Sequence, residues 1–312
     1  MTPVAWNREI RPGPSVYNVC PDPSSPWFEI MGGEWWSVSL RPPQRYRDTI
    51  WGDLSFPLPQ SPSFNEADIS DKPAWLQQVP PMSSYMIDCL QKRYWTRLEV
   101  MRAADDLVGH VMTTLESTGR LSNTVVIFTG DQGLLDGQHR YPEKSPPYDE
   151  GLRIPLVIRT RTSNAPVQLS QLTMTTDLAP TVAQMAGVTP AHVVDGRSLV
   201  PVMQNPAMPW RKMYLFEHGP GYTSATIPAP PTYFALRTDG VTPHLFAEYQ
   251  GVTTGVAGEL YDMTADPFQL QNKYAAPELR ARVVLWRQWL AAMRTCSGAV
   301  CQILEALFTV PQ

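Results

Sequence analysis

An apolar strand that ends in a short polar turn constrains the fold of this chain more than any other feature. Residues 124–129 (TVVIFT) form a β-branched run typical of a buried strand, and residues 130–133 (GDQG) follow at once. Open α/β sheets carry their ligand sites at the carboxyl ends of strands, so the oxygens of Asp131 and Gln132 lie where a site is expected. Lys144 follows thirteen residues after Asp131.

Hydrophobic periodicity predicts an α/β arrangement around this strand. Residues 84–119 carry apolar side chains at three- and four-residue steps, as a helix does, and the strand at 124–129 follows directly. The apolar positions of this helix are Tyr94, Leu98, Met101, Leu107, Val108, Val111 and Leu115. A helix that leads into a strand is half of a crossover unit, so we expect a parallel sheet. The pattern of residues 177–187 predicts a shorter helix, with Asp177 or Thr176 as its N-terminal cap.

Composition and pattern divide the chain into three regions. Residues 1–62 form a Pro- and Trp-rich lead, residues 63–205 the main α/β domain and residues 206–312 a small α+β subdomain. The remaining predicted elements are a strand at 154–158, a small antiparallel sheet from 213–216, 233–237, 244–249 and 259–262, and a final helix at 277–294.

Charge and hydropathy exclude several classes of protein. With 25 basic and 29 acidic residues, the formal net charge is −4, and no basic cluster favours nucleic-acid binding. A hydrophobic fraction of 43% and a charged fraction of 17% predict a folded chain and not a disordered one. No run of 18 apolar residues predicts a transmembrane helix, and residues 1–30 lack the apolar core of a signal peptide.

Four segments of the chain resemble motifs of one known family. They are residues 124–159, FNEADISDKPAW at 64–75, ELYDMTADP at 259–267 with Asn272 beyond it, and CSGAVC at 296–301. Together they resemble the sulfatases of the alkaline-phosphatase-like superfamily, and the first segment resembles their C-terminal metal-binding motif. The resemblance implies an α/β fold: an alkaline-phosphatase-like mixed sheet with flanking helices, truncated at the N-terminus, plus a small C-terminal antiparallel sheet with a terminal helix.

The resemblance implies hydrolysis of a sulfate ester with Ca²⁺ as cofactor. The family's nucleophile is a formylglycine made from the Cys or Ser of a C-x-P-S-R or S-x-P-S-R motif. Neither Cys20, followed by PDPSS, nor Cys89, followed by LQKR, fits that motif. We therefore expect this chain to be weak or inactive by itself. Three interpretations stay open: a piece of a longer sulfatase, a non-catalytic pseudo-enzyme that serves as a binding or structural module, and a phosphodiesterase or phosphonate hydrolase of the same superfamily.

The resemblance also assigns candidate site residues. Asp131 and Gln132 correspond to Ca²⁺ ligands, and this cation prefers carboxylate and amide oxygens. Two further aspartates that the family supplies from its first strand have no counterpart, so the expected metal site is incomplete. The alternative is that Asp131 caps the following turn. Lys144 corresponds to a lysine that contacts the sulfate oxygens, the alternative being a solvated loop lysine.

Two histidines are further candidates. His139 lies between Asp131 and Lys144, where it could act on a substrate oxygen as a general acid, or could bond a backbone carbonyl and hold the loop. His218 follows a predicted strand and is a weaker candidate for the substrate pocket.

The resemblance extends to partners and to the cysteines near the end of the chain. It implies a sulfated small molecule or glycan as ligand, and a homo-oligomer is possible. Family members are usually exported or lysosomal, although this sequence shows no leader. The family counterpart of Cys296 and Cys301 is usually a small disulfide loop; in a reducing compartment the two would be free thiols.

Overall fold

The computed structural model describes residues 42–161, 165–219, 228–240, 242–253 and 255–310. Most of the predicted lead at 1–62 therefore lies outside the described residues. The described chain divides into two compact units: residues 42–59 with 82–118 form the first, and residues 60–81, 119–219 and 228–310 form the second. The predicted domain boundaries at 62/63 and 205/206 stay predictions.

The described residues form an α/β protein with helices of 4 to 34 residues and two sheets. The helices are α1 (Ala74–Gln77), α2 (Ser84–Ser117), α3 (Asp149–Leu152), α4 (Leu178–Ala186), α5 (Val200–Gln204), α6 (Arg280–Thr295) and α7 (Ala299–Leu307). The strands are β1 (Val126–Thr129), β2 (Leu156–Arg159), β3 (Met213–His218), β4 (Tyr233–Thr238), β5 (His244–Tyr249) and β6 (Gly258–Asp262). The predicted positions are confirmed to within a few residues at each end.

The first unit is built on α2, whose buried residues lie in its first half. Ser83 caps the helix by accepting the N–H of Met86 at 3.2 Å. Buried Glu99 accepts the backbone N–H groups of Ile50 and Trp51 at 3.0 and 3.1 Å, which joins the helix to the segment before it. The buried residues of the helix end at Glu99, whereas Met101, Leu107, Val108 and Val111 are exposed. The helix itself is as predicted, and a periodic apolar pattern does not show whether other residues cover that face.

No described helix could cross a membrane, although α2 is 34 residues long. Its length would suffice for a span, but it lacks an 18-residue stretch of sufficient hydropathy. This agrees with the absence of an apolar run from the sequence.

In the second unit, β1 and β2 form a two-stranded antiparallel sheet in which Ile127 lies opposite Ile158. Both strands were predicted, but the predicted parallel pairing is wrong for β1 in the described chain. The strand that pairs with β1 there is the next one along the sequence, reached through a returning loop and α3. A helix that precedes a strand does not determine which other strand pairs with it, or in which direction.

The C-terminal sheet has the predicted antiparallel form, with strand order β3-β4-β5-β6. Its core is shared with α6, whose buried Trp286 and Leu290 belong to one cluster with Leu236 and Phe246 of the sheet. The disulfide between Cys296 and Cys301 is present and joins the end of α6 to α7. The predicted antiparallel sheet and final helix are confirmed.

The predicted cap residue of α4 belongs to a buried ion cluster. Asp177 occupies the N-cap position as predicted, but its side chain makes no cap hydrogen bond to α4, and its carboxylate oxygens accept from Arg211 at 2.5 and 2.7 Å. The guanidinium of Arg211 also donates to Glu305 in α7 at 3.0 Å. All three side chains are almost fully buried, so each charge is compensated inside the protein. The helix ends as predicted at Gly187, with φ +71°.

Candidate active site

The candidate site lies in residues 130–148, a loop that leaves the carboxyl end of β1 and returns through α3 to β2. Asp131 and Gln132 are exposed at the start of this loop. Asp131 Oδ1 accepts the backbone N–H of Gln132 at 2.8 Å, so the carboxylate also orders its own turn. The two predicted ligands therefore lie at a strand end, where solvent or a cation can reach them.

Lys144 lies near the other end of the loop and is exposed. On its N-terminal side, the carbonyl of Glu143 accepts the N–H of Leu135 at 3.1 Å, which closes the loop on itself. A cation on an exposed loop side chain is available to an anionic ligand. The position is therefore compatible with the predicted contact to sulfate oxygens.

The structure places His139 in the core and not at the surface. Its side chain has no exposed area, and Nδ1 lies 2.6 Å from Oε2 of Glu66. The ring stacks on Tyr148 with 3.7 Å between centroids. The backbone N–H donates to the carbonyl of Ser63 at 2.7 Å, and φ is +52°. To act on a substrate oxygen, the imidazole would have to leave Glu66 and Tyr148, so the geometry supports the interpretation in which His139 holds the loop.

Burial determines the protonation of the Glu66–His139 pair. Desolvation, together with the charge of nearby Lys72, lowers the pKa of His139 to about 3, so the imidazole is neutral near pH 7. Desolvation raises the pKa of Glu66 to about 7, against the opposing effect of Lys72. A neutral imidazole and a carboxyl group share one short hydrogen bond in either protonation state of Glu66.

Lys72 compensates the negative charge of this cluster from inside the protein. Its side chain has no exposed area, and Nζ lies 3.2 Å from Oε1 of Glu66 and 3.4 Å from Oδ1 of Asp71. Nζ also donates to the carbonyls of Gln269 at 2.8 Å and Leu270 at 2.9 Å. A buried ammonium with this many oxygen partners joins residues nearly 200 positions apart in the sequence.

Arg140 and the backbone of the loop complete this attachment. Nε and Nη2 of Arg140 donate to the carbonyls of Glu66 and Ala67 at 2.7 and 2.6 Å. The N–H of Asn65 donates to the carbonyl of Gly137 at 2.8 Å. The segment at 64–75 therefore serves as the support on which the middle of the site loop rests.

The segment at 259–272 joins the same support. Asn272 donates through Nδ2 to the carbonyls of Asp71 and Gly258, each at 3.0 Å. Glu259 on β6 is fully buried and accepts the hydroxyls of Tyr249 and Tyr261 at 2.5 Å each. Three of the four segments that resemble sulfatase motifs thus meet in one buried polar cluster of the second unit.

Residues that sequence reasoning missed hold the end of the loop beside Lys144. The hydroxyl of Tyr233 on β4 donates to the carbonyl of Ser145 at 2.7 Å. Arg237, also on β4, binds both carboxylate oxygens of Asp149 at 3.0 and 3.1 Å. Gln269 accepts the N–H of Asp149 at 2.8 Å. A tyrosine and an arginine on a predicted strand give no local signal of this role, because their partners lie almost 90 residues away.

The described residues offer too few ligands for a calcium site of their own. Asp131 and Gln132 supply a carboxylate and an amide oxygen, the donor types that Ca²⁺ prefers. No group of three or more His, Cys, Asp or Glu side chains that could hold a metal occurs among the described residues. Because Ca²⁺ takes 6–8 oxygen ligands, the donor chemistry fits but the number does not.

Comparison with known proteins identifies the family. A family model described as Sulfatase matches residues 52–188, and one described as N-sulphoglucosamine sulphohydrolase, C-terminal, matches residues 137–295, a little over half of the chain. The chain belongs to the sulfatase family. The two matches cover the site loop, its support and the C-terminal sheet of this sulfatase-family chain.

Individual relatives agree with the family match. An arylsulfatase of Volvox carteri is 30% identical over 259 residues, which are 76% of this chain and 39% of that protein. An N-acetylglucosamine-6-sulfatase of Homo sapiens is 29% identical over 257 residues, 73% of this chain and 46% of that protein. A solved structure in complex with its substrate D-glucosamine-2-N,6-O-disulfate has a TM-score of 0.59 at 27% identity, with 69% of this chain and 42% of that chain covered. The chain thus spans less than half the length of these relatives.

Proposed function

We propose that this chain carries the sulfate-binding loop of a sulfuric ester hydrolase, and that its ligand is a sulfated amino sugar. The observation that carries the proposal is the loop at 130–148: it falls in the sulfatase family match, and it presents Asp131, Gln132 and Lys144 at the surface. The amino sugar is suggested by the human relative, an N-acetylglucosamine-6-sulfatase, and by the solved complex with D-glucosamine-2-N,6-O-disulfate.

In this proposal the chemical contribution of Lys144 is electrostatic. The ammonium group neutralises negative charge on the sulfuryl oxygens, and it does so best when it is held in place before the ligand arrives. Asp131 and Gln132 are proposed cation ligands, but a set of two oxygens is too small to support a catalytic step through a metal ion. His139 is proposed to hold the loop between them.

The proposal includes weak or absent turnover by this chain. The 312 residues contain no C-x-P-S-R or S-x-P-S-R motif, so the family's nucleophile has no source in this sequence. We expect the purified chain not to hydrolyse an aryl sulfate such as 4-nitrophenyl sulfate, measured by release of the phenol. Hydrolysis that persists through purification and is abolished by Asp131→Ala would overturn this expectation.

A binding experiment tests the ligand. Isothermal titration at low ionic strength with D-glucosamine-2-N,6-O-disulfate should detect binding, because surface charge interactions are screened by salt. Lys144→Ala should weaken the affinity by roughly tenfold, which corresponds to the loss of one hydrogen bond to a charged group. Lys212→Ala removes an exposed lysine just before β3 and serves as the matched control. No binding by the unmodified chain, or equal losses in the two variants, would contradict the proposal.

Two alternative functions make different predictions in binding and hydrolysis experiments. The absent nucleophile motif favours a non-catalytic binding module, which predicts binding of the disulfated sugar without any release of sulfate. A phosphonate hydrolase predicts release of phenol from the phenyl monoester of a phosphonic acid, by cleavage of its P–O bond with water, while sulfate esters stay unchanged. For a sulfatase that includes this chain, a C-x-P-S-R or S-x-P-S-R motif should be found in the reading frame upstream of the coding sequence.

A further inference from the structure

The residue after Lys144 has a backbone conformation that needs external support. Ser145 has φ +103°, in a region that residues other than glycine rarely adopt. Pro146 follows and restricts Ser145 further, because its ring crowds the residue before it. Such a conformation persists only where the surrounding structure holds it, and it is common where a side chain must be presented in one direction.

Tyr233 supplies that support at Ser145 itself. Its hydroxyl donates to the Ser145 carbonyl at 2.7 Å, and its side chain is almost fully buried. Burial raises the pKa of Tyr233, so the phenol stays protonated and remains a donor across the neutral range. The ring is fixed in turn by aromatic contacts with Tyr249 and His218, at centroid distances of 5.6 and 5.5 Å.

The loop is also fixed on both sides of this point. Before Lys144, the carbonyl of Glu143 accepts the backbone N–H of Leu135 at 3.1 Å. After it, the Pro147 carbonyl accepts from Nε2 of Gln269 at 3.2 Å. Lys144 is therefore an exposed side chain on a backbone that is held at close intervals, and Tyr233 provides the attachment nearest to it.

We propose that Tyr233 is a positioning residue for Lys144: its hydroxyl holds Ser145 in the strained conformation that directs the Lys144 ammonium group toward a sulfate group. This inference rests on the proposed function of Lys144 as the sulfate contact. It adds a residue from the C-terminal sheet, 89 positions further along the chain, to the residues on which that contact depends. Tyr233 touches no ligand in this scheme and acts only through the loop.

Hydrogen exchange tests whether the hydroxyl holds the loop. In Tyr233→Phe, the N–H groups of Leu135 and Tyr148, which donate to the carbonyls of Glu143 and Pro146, should exchange about three to ten times faster, as expected for loss of one net hydrogen bond. Tyr274→Phe is the matched control, because its hydroxyl donates to Glu248 and not to the loop. Unchanged exchange at both amides in Tyr233→Phe would overturn the proposal.

A double-mutant cycle tests whether Tyr233 acts through Lys144. Titration with D-glucosamine-2-N,6-O-disulfate should show a loss of affinity of about three- to tenfold for Tyr233→Phe in the unmodified chain, and no further loss in the Lys144→Ala background. The same loss in both backgrounds would mean that Tyr233 supports the fold in general, and the proposal would be wrong. If the unmodified chain does not bind this probe, the proposed function fails, and the exchange experiment alone decides whether Tyr233 holds the loop.

Discussion

Replacing Lys72 by methionine should destabilise the second unit by an amount that depends on pH. Methionine keeps the length of the side chain and removes its charge. The change deprives the carbonyls of Gln269 and Leu270 of their donor, and it leaves the buried carboxyl of Glu66 without its nearest cation. The first loss is present at every pH, whereas the second matters only while Glu66 is ionised.

The pKa of Glu66 determines the pH window. Burial raises it from 4.5 to about 7, so folding favours the protonated form. The stability that this protonation contributes is present below pH 4.5 and is lost as the pH rises through about 7. Lys72 opposes that loss, since its charge lowers the pKa of Glu66. Without Lys72, the pKa rises further and the free energy of unfolding falls more steeply between pH 5 and pH 8.

The loss in the free energy of unfolding should differ between pH 5 and pH 8. At pH 8 the variant has an uncompensated buried carboxylate, and we expect the free energy of unfolding to fall by about 3–5 kcal/mol. At pH 5 Glu66 is protonated in both proteins. The cost then comes from the carbonyls left without a partner and from the lost ion pair with the partly exposed Asp71, roughly 1–3 kcal/mol in all.

Urea unfolding at pH 5 and pH 8 measures both values by tryptophan fluorescence, to which the buried Trp75 in α1 contributes. Lys273→Met removes an exposed lysine from the same unit and should change stability by less than about 0.5 kcal/mol at either pH. A cost for Lys72→Met that is equal at the two pH values, or larger at pH 5, would refute the argument that Lys72 compensates Glu66.

Three further predictions concern the ion cluster, the cation and the open sheet. Arg211→Met leaves Asp177 and Glu305 buried without their shared cation and should lower the free energy of unfolding in urea by about 3–5 kcal/mol. Arg287→Met, which breaks a half-exposed pair with Glu248, should lower it by under about 1 kcal/mol, and equal losses would contradict this prediction. By titration calorimetry the chain should bind Ca²⁺ with a Kd of roughly 1 mM or weaker. Asp131→Ala should remove that binding, whereas Asp239→Ala should not. A micromolar Kd would mean that the cation has further ligands. Because Phe128 on β1 and Val157 on β2 are exposed, sedimentation should detect self-association as concentration rises; a monomer with a sharp melt would show that other residues cover this sheet.

Local sequence patterns were sufficient for most elements of this fold. The C-terminal sheet and helix, the strand before Asp131 and the end of α4 at Gly187 all follow from period, turn residues and caps, which act over a few residues. The Asp131, Gln132 and Lys144 candidates lie in one short loop, so their common location could also be inferred from spacing.

Tertiary contacts decided strand pairing, the exposure of helix faces and the partners of buried polar side chains, which local patterns do not contain. The direction of the strand that pairs with β1 and the exposure of the second half of α2 depend on partners elsewhere in the chain. Asp177 lies at the N-cap position of α4, but its carboxylate accepts a charge-assisted bond from a buried arginine 34 positions away and makes no cap hydrogen bond to that helix.

The same division applies to the candidate site. The sequence by itself placed the exposed polar groups after β1, because a strand and its following turn are local structures. Only the folded chain brings Glu66 to His139, Lys72 to Gln269 and Tyr233 to Ser145, across separations of 73, 197 and 88 residues. Contacts of that length form because burying an apolar core brings distant segments together, and each buried polar group must then find a partner within reach.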